Sequence, residues 1–180
     1  MFGRIIPAFV NLTPEIMERQ LMRHLITHGT RWTGGDPRTR QEGLARIVQI
    51  RTDLLPLIPR PAQVLVGTGH RFIETWDRIA PLFPNITVGF TPLLGGPEAS
   101  EKDELHVSLA DGRKIPRDSY IGINTPSFNA WLFVANVQDT TLFCSGPEFM
   151  EALGLLVPGH LALGRLFALD ADKHLCTEIT

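Results

Sequence analysis

Gln63-Val64-Leu65-Val66 runs into Gly67-Thr68-Gly69, and His70-Arg71-Phe72-Ile73-Glu74-Thr75 follows. Val64–Val66 is apolar without alternation, the mark of a central strand buried on both faces. The glycines break it. Phe72, Trp76, Ile79 and Phe83 then fall on one stripe, so His70-Arg71 open a helix. A strand that turns on glycine into a helix is the unit of a parallel α/β sheet, and such sheets bind ligands beyond the carboxyl ends of their strands.

Upstream, Gln41–Leu55 reads as a helix with Leu44, Ile47, Val48, Leu54 and Leu55 on one face, ended by the prolines at 56, 59 and 61. Residues 29–40 form a loop rich in Gly, Thr and Arg. Arg4–Leu12 is apolar and partly β-branched, which predicts a buried strand. Thr13-Pro14-Glu15 has the order of a helix cap, and Met17, Leu21 and Leu25 recur every four residues, which predicts a helix over Pro14–His28. Downstream, Ile86–Phe90 suits a strand, and Asp111-Gly112 within Leu105–Ile115 signals a hairpin inserted near 103–117. Thr125-Pro126 starts a further helix, Thr140–Cys144 is a strand broken by Ser145-Gly146-Pro147, Glu148–Leu156 is a short helix, and Leu163–Leu169 is a last strand followed by a turn. The expected fold is one domain over residues 1–180, a three-layer α/β/α sandwich with a mostly parallel central sheet.

Composition bounds the function. With 180 residues, 43% of them hydrophobic and 20% charged, the chain can bury a core and is not disordered. A net charge of -2 gives no basic footprint for nucleic acid. No apolar run reaches the ~18 residues that span a bilayer. Cys144 and Cys176 have neither metal spacing nor a disulfide framework. The expectation is a cytoplasmic protein with no cofactor and no metal.

The order of elements and three stretches resemble the histidine phosphatase (phosphoglycerate mutase-like) superfamily. Val64–Thr75 (VLVGTGHRFIET) is similar to the family's strand into S-P-L-x-R-x-x-x-T, with Arg71 at the phosphate-binding arginine and Thr75 four residues on. Asp36–Gly43 (DPRTRQEG) resembles the family's D-x-x-L-T-x-x-G helix entry, and Thr141–Gly154 its last strand and helix. The family's first strand ends in R-H-G, whose histidine is phosphorylated. In the preferred register FVNLTPE lies over L-V-R-H-G-E-T, which sets Asn11 and Leu12 at the arginine and histidine. CSGP lies over V-S-H-G, which sets Ser145 or Gly146 at the second histidine. A rival register takes Arg23-His24 for the R-H pair.

Phosphoryl transfer through histidine needs a neutral imidazole, fixed donors around charged oxygens and an acid for the leaving oxygen. Leucine cannot take a phosphoryl group. In the preferred register the surviving part is Arg71 after the Gly67-Thr68-Gly69 turn, with Thr68, Asn11 and Ser145 as further ligand-binding candidates. His70 and His24 are the candidate catalytic histidines. His24 and His28 stand four apart, a spacing that can join two imidazoles on a helix, although solvated helix-end histidines are the plainer expectation. Glu98 stands where the family often keeps a proton donor. Arg31, Arg38 and Arg40 with Trp32 could grip an acidic ligand. Ser145 could instead cap the helix after it.

The resemblance thus implies a diverged domain lacking ordinary phosphohistidine chemistry that binds an anionic, phosphate-bearing ligand or a protein partner. One alternative is an active phosphomonoesterase using His24 or His70 as nucleophile. Another is a structural or interaction protein without a ligand. The expected partners are a phosphorylated small molecule or a protein, with no nucleic acid and no membrane, and a homodimer is left open.

Overall fold

The computed structural model describes residues 22–31, 38–95, 106–108, 114–116, 127–154 and 163–180. In chain order these form β1 (Arg23–Thr27), α1 (Gln41–Asp53), β2 (Gln63–Val66), α2 (His70–Ile79), β3 (Thr87–Phe90), β4 (His106–Ser108), β5 (Lys114–Pro116), α3 (Ser127–Asn136), β6 (Thr141–Ser145), α4 (Pro147–Ala152), β7 (Leu166–Asp170) and β8 (Leu175–Ile179).

Six strands make one sheet in the order β3-β2-β6-β1-β7-β8. β3, β2, β6 and β1 run parallel, and β7 and β8 extend the sheet antiparallel. β4 and β5 pair separately as a hairpin with Val107 opposite Ile115, as the Asp111-Gly112 signal predicts. The fold is therefore the expected mixed α/β architecture with a mostly parallel sheet.

Successive residues of the central strands point to opposite faces and bury both. Leu25, Phe143 and Leu169 pack with Ala130, Trp131 and Val134 of α3 and Phe149 and Met150 of α4. Ile26, Val64, Val66, Leu142, Cys144 and Leu166 pack on the other face with Ile47 and Ile50 of α1 and Phe72 and Ile79 of α2. Two helices cover each face, which is the three-layer arrangement.

The structure corrects the start of the domain. The expected helix Pro14–His28 does not reach its end as a helix: Arg23–Thr27 is a strand, parallel to β6 and antiparallel to β7. Four of its five residues are buried, because a central strand hides both faces. Leu25 happens to continue the four-residue spacing of Met17 and Leu21, yet His24, Leu25, Ile26 and Thr27 are buried in succession, which one face of a surface helix cannot do. The expected strand Arg4–Leu12 lies outside the described residues. A second departure is β8: the chain turns at Asp170–Lys173 as expected, then returns as one more strand beside β7. Asp170 holds that turn by accepting from the Asp172 and Lys173 amides.

Candidate functional site

Because β2, β6 and β1 are parallel neighbours, their carboxyl ends meet at one edge of the sheet. β1 leaves it at His28-Gly29, β6 at Gly146-Pro147-Glu148 and β2 at Gly67–Arg71. Backbone bonds fix the three exits. The His28 amide donates to the Ser145 carbonyl (3.0 Å), the Gly67 amide to the Cys144 carbonyl (3.0 Å), and the His28 carbonyl accepts from Gly164 (2.8 Å).

The residue at the end of β1 is His28, and it is fully buried. Nδ1 lies 2.7 Å from the Gly29 carbonyl. A carbonyl only accepts, so Nδ1 carries the hydrogen and donates, which leaves the Nε2 lone pair open. Nε2 is buried and has no hydrogen-bond partner among the described residues. Burial, with the Arg71 and Arg31 charges adding to it against the Gly29 hydrogen bond, lowers the imidazole pKa to about 3. At neutral pH His28 is a neutral base with a fixed tautomer.

Arg71 comes from the first turn of α2 and is completely buried. Its guanidinium carbon lies 4.2 Å from the Phe72 ring centre, and Thr75 Oγ1 donates back to the Arg71 carbonyl (2.8 Å). The His28 ring meets the same Phe72 edge-on, 5.5 Å between ring centres. Glu148 closes the group: its Oε1 is 3.6 Å from Arg71 Nη2 and 3.8 Å from Arg31 Nη2. Its Oε2 is buried with no hydrogen-bond partner among the described residues.

Gly146 decides how these meet. A Cβ placed there would lie 3.0 Å from His28 Nε2 and would also strike Glu148 Oε2. The His28 ring and the Glu148 carboxylate therefore both pack closely against Gly146, where no side chain fits without displacing them. Gly29 has a similar need on the other side, where a Cβ would sit 2.5 Å from the Gly43 carbonyl oxygen. The chain end of β1 and the first turn of α1 touch backbone to backbone.

The expected site residues divide. Arg71 is in the cluster. Thr68 stands at the end of β2 with a buried hydroxyl that has no partner among the described residues, although its amide is taken by the Gly95 carbonyl (2.8 Å). Ser145 is buried, and its hydroxyl donates to the Leu94 carbonyl (2.5 Å), which ties β6 to the chain after β3. It caps no helix: Gly146 is the N-cap of α4, without a side-chain bond. His24 lies at the other end of β1, opposite Leu142 and Ala168. At ~3.3 Å per residue, four residues place it about 13 Å along the strand from His28, too far to share an ion or a phosphoryl group. Burial lowers its pKa to about 4. His70 is exposed while its neighbour Arg71 is buried. Asn11, Trp32 and Glu98 lie outside the described residues. Of the three loop arginines only Arg31 reaches Glu148; Arg38 pairs with Glu74 and Arg40 with Glu42.

The Asn11-Leu12 register lies outside the described residues, and Arg23-His24 lies at the end of β1 away from this edge. At the carboxyl end of β1 the chain reads Thr27-His28-Gly29. Thr27 turns its hydroxyl to the Arg165 backbone, accepting from the amide at 3.0 Å. Sequence reasoning weighed His28 only beside His24 on a helix and did not single out Glu148. The available signal was His28-Gly29 directly after the apolar Leu25-Ile26. Among the described residues no group of three or more His, Cys, Asp or Glu is placed to hold a metal ion. No helix among them is long and apolar enough to cross a membrane.

No protein-family model matches the sequence, and no curated protein matches it. Solved structures do match. A phosphoglycerate mutase from Thermus thermophilus superposes with a TM-score of 0.53 at 15% identity, covering 88% of this chain and 98% of that one. The protein histidine phosphatase SixA complexed with tungstate superposes at 0.53 and 11% identity, covering 88% and 94%. At such identities the likeness is one of fold: this is the fold of phosphoglycerate mutase-like histidine phosphatases.

Proposed function

We propose that this chain is a phosphatase-type phosphoryl-transfer enzyme in which His28 takes the phosphoryl group. The observation that carries the reading is His28 Nε2: a buried lone pair on a neutral imidazole, oriented by its partner nitrogen and unpartnered among the described residues. Arg71 and Arg31 supply the charge that meets phosphoryl oxygens, Arg71 with the planar donor fork suited to them. Thr68, with its spare hydroxyl, remains a candidate donor.

The chemistry balances as follows. The Nε2 lone pair forms a bond to phosphorus as the bond to the leaving oxygen breaks, and that oxygen takes a proton from Glu148 in its acid form. Water then attacks phosphorus, its proton passes to the Glu148 carboxylate, the phosphorus–nitrogen bond breaks, and neutral His28 and inorganic phosphate result.

A second reading has specific support. By the resemblance of CSGP to V-S-H-G, Ser145 or Gly146 takes the place of the family's second histidine, so the site has one histidine fewer than the family pattern. A domain that binds phosphate-bearing ligands without turning them over, the reading the sequence favours, has this composition. Release of phosphate from p-nitrophenyl phosphate separates the two. The enzyme reading expects turnover that His28→Ala abolishes and His70→Ala leaves within about twofold. Tight tungstate binding with no turnover, unaffected by His28→Ala, supports the binding domain instead.

A further inference from the structure

Arg31 and Arg71 reach Glu148 from different elements, and they are held differently. Arg71 is completely buried on α2, so packing fixes its guanidinium. The Arg31 side chain is 28% exposed and leaves the chain beyond β1, where a long side chain keeps rotamer freedom. Its reach to Glu148 starts from where the backbone sets it. That backbone is tied at a neck: Arg31 pairs with Thr39 in an antiparallel bridge, and the Arg40 amide donates to the Thr30 carbonyl (2.7 Å). The neck is fastened to α2 in turn, because the Thr39 amide donates to Glu74 Oε2 (2.7 Å). Glu74 Oε1 lies 3.7 Å from Arg38 Nη1. In α2, Glu74 follows Arg71 by three residues, so the two leave neighbouring positions on the helix surface. One helix thus carries one arginine of the cluster and anchors the backbone of the other.

We infer that Glu74 is a positioning residue: by accepting from the Thr39 amide it sets the neck, and with it Arg31, at the His28 pocket. The inference rests on that pocket being the phosphoryl site, and it adds a residue that acts there through another. The sign of the effect separates positioning from charge. A carboxylate near an anion site opposes the anion by its charge, so removing a Glu74 that acted through charge alone would tighten anion binding. Removing a Glu74 that acts through the Thr39 amide weakens it, because that N–H loses its acceptor and Arg31 is no longer held in register.

The test is calorimetric binding of tungstate, a phosphate mimic, to the full chain. Arg31→Ala is expected to weaken binding by about tenfold, the loss of one charge-assisted contact. Glu74→Ala should weaken it by about fivefold in the wild-type background and by less than about twofold once Arg31 is gone, since nothing is left to position. Glu74→Gln keeps an oxygen for the Thr39 amide and should stay within about twofold of wild type. Glu74→Asp keeps the charge, draws the oxygen back by a methylene and should behave as Glu74→Ala; it carries the comparison if Glu74→Ala does not fold. Tighter binding by Glu74→Ala, an equal loss with or without Arg31, or Glu74→Gln no better than Glu74→Ala overturns the inference. Arg31→Ala without effect, or wild type that binds no tungstate, overturns it too. None of these outcomes depends on turnover. Phosphatase activity that His28→Ala abolishes, seen without the coupling of Glu74 to Arg31, sinks the positioning role alone, whereas coupled binding without turnover sinks the enzyme reading alone.

Discussion

His28 is neutral because of where the backbone leaves it. Nδ1 is spent on Gly29, the ring edge is fixed by Phe72, and two guanidinium groups oppose a proton on Nε2. Gly146 matters as much, since a side chain there would press on that atom and on Glu148 Oε2. Its φ of -141° suits any residue, so a methyl group there meets no backbone strain. Gly146→Ala is therefore expected to cost about 1–3 kcal/mol by crowding His28 and Glu148, and to lose turnover by about a hundredfold because it displaces both side chains. Urea unfolding and p-nitrophenyl phosphate kinetics on the same preparation check both halves. Arg71 was legible in the sequence because its neighbours, a strand, a glycine turn and Thr75 four residues on, make a local pattern. His28 was not, since a histidine before glycine also fits a helix end. Glu148 could not be weighed from spacing, because its role comes from two arginines distant in the chain.

At the scale of elements, the misread segment is instructive. Three apolar residues four apart suggest a helix, but β1 takes its stability from β6 and β7 on either side, and those partners come more than a hundred residues later. Short strands buried on both faces carry no periodicity of their own. β2, of the same kind, was legible because glycines bracket its end. The union of β1 with α1 depends on Gly29 and Gly43, where a Cβ on Gly43 would lie 2.6 Å from Thr30 backbone atoms. The nearest of these atoms are backbone and cannot yield, and Thr39 Cγ2 crowds the same position at 2.8 Å. Gly43→Ala should therefore destabilise the fold by about 1–3 kcal/mol, measured by urea denaturation, although alanine favours helices. A gain in stability would mean that the two backbones do not meet this closely.

For the whole molecule, the mixed α/β class with a mostly parallel sheet was legible, because apolar runs and turn residues mark much of the alternation of strand and helix. The extra strand β8 was not, as half-exposed Leu175–Ile179 offers few apolar positions to read. Two buried histidines make the folded state sensitive to acid. His24 and His28 have folded pKa values of about 4 and about 3, below the ordinary 6.5. As pH falls below 6.5 the unfolded chain takes up protons that the folded one refuses, so stability present at neutral pH is lost on acidification, by up to about 1.4 kcal/mol per pH unit for each histidine. Unfolding free energies at several values between pH 7 and 5 should show this slope, and His24→Gln should reduce it; a flat profile would place both imidazoles in water. The most direct test of the account is chemical. Wild-type protein mixed with p-nitrophenyl phosphate, quenched in alkali and digested, should yield a phosphohistidine at His28, the acid-labile and base-stable adduct identified by mass spectrometry. A phosphoryl group on His70 or His24, or turnover with no modified histidine under quench conditions that preserve phosphohistidine, would contradict it.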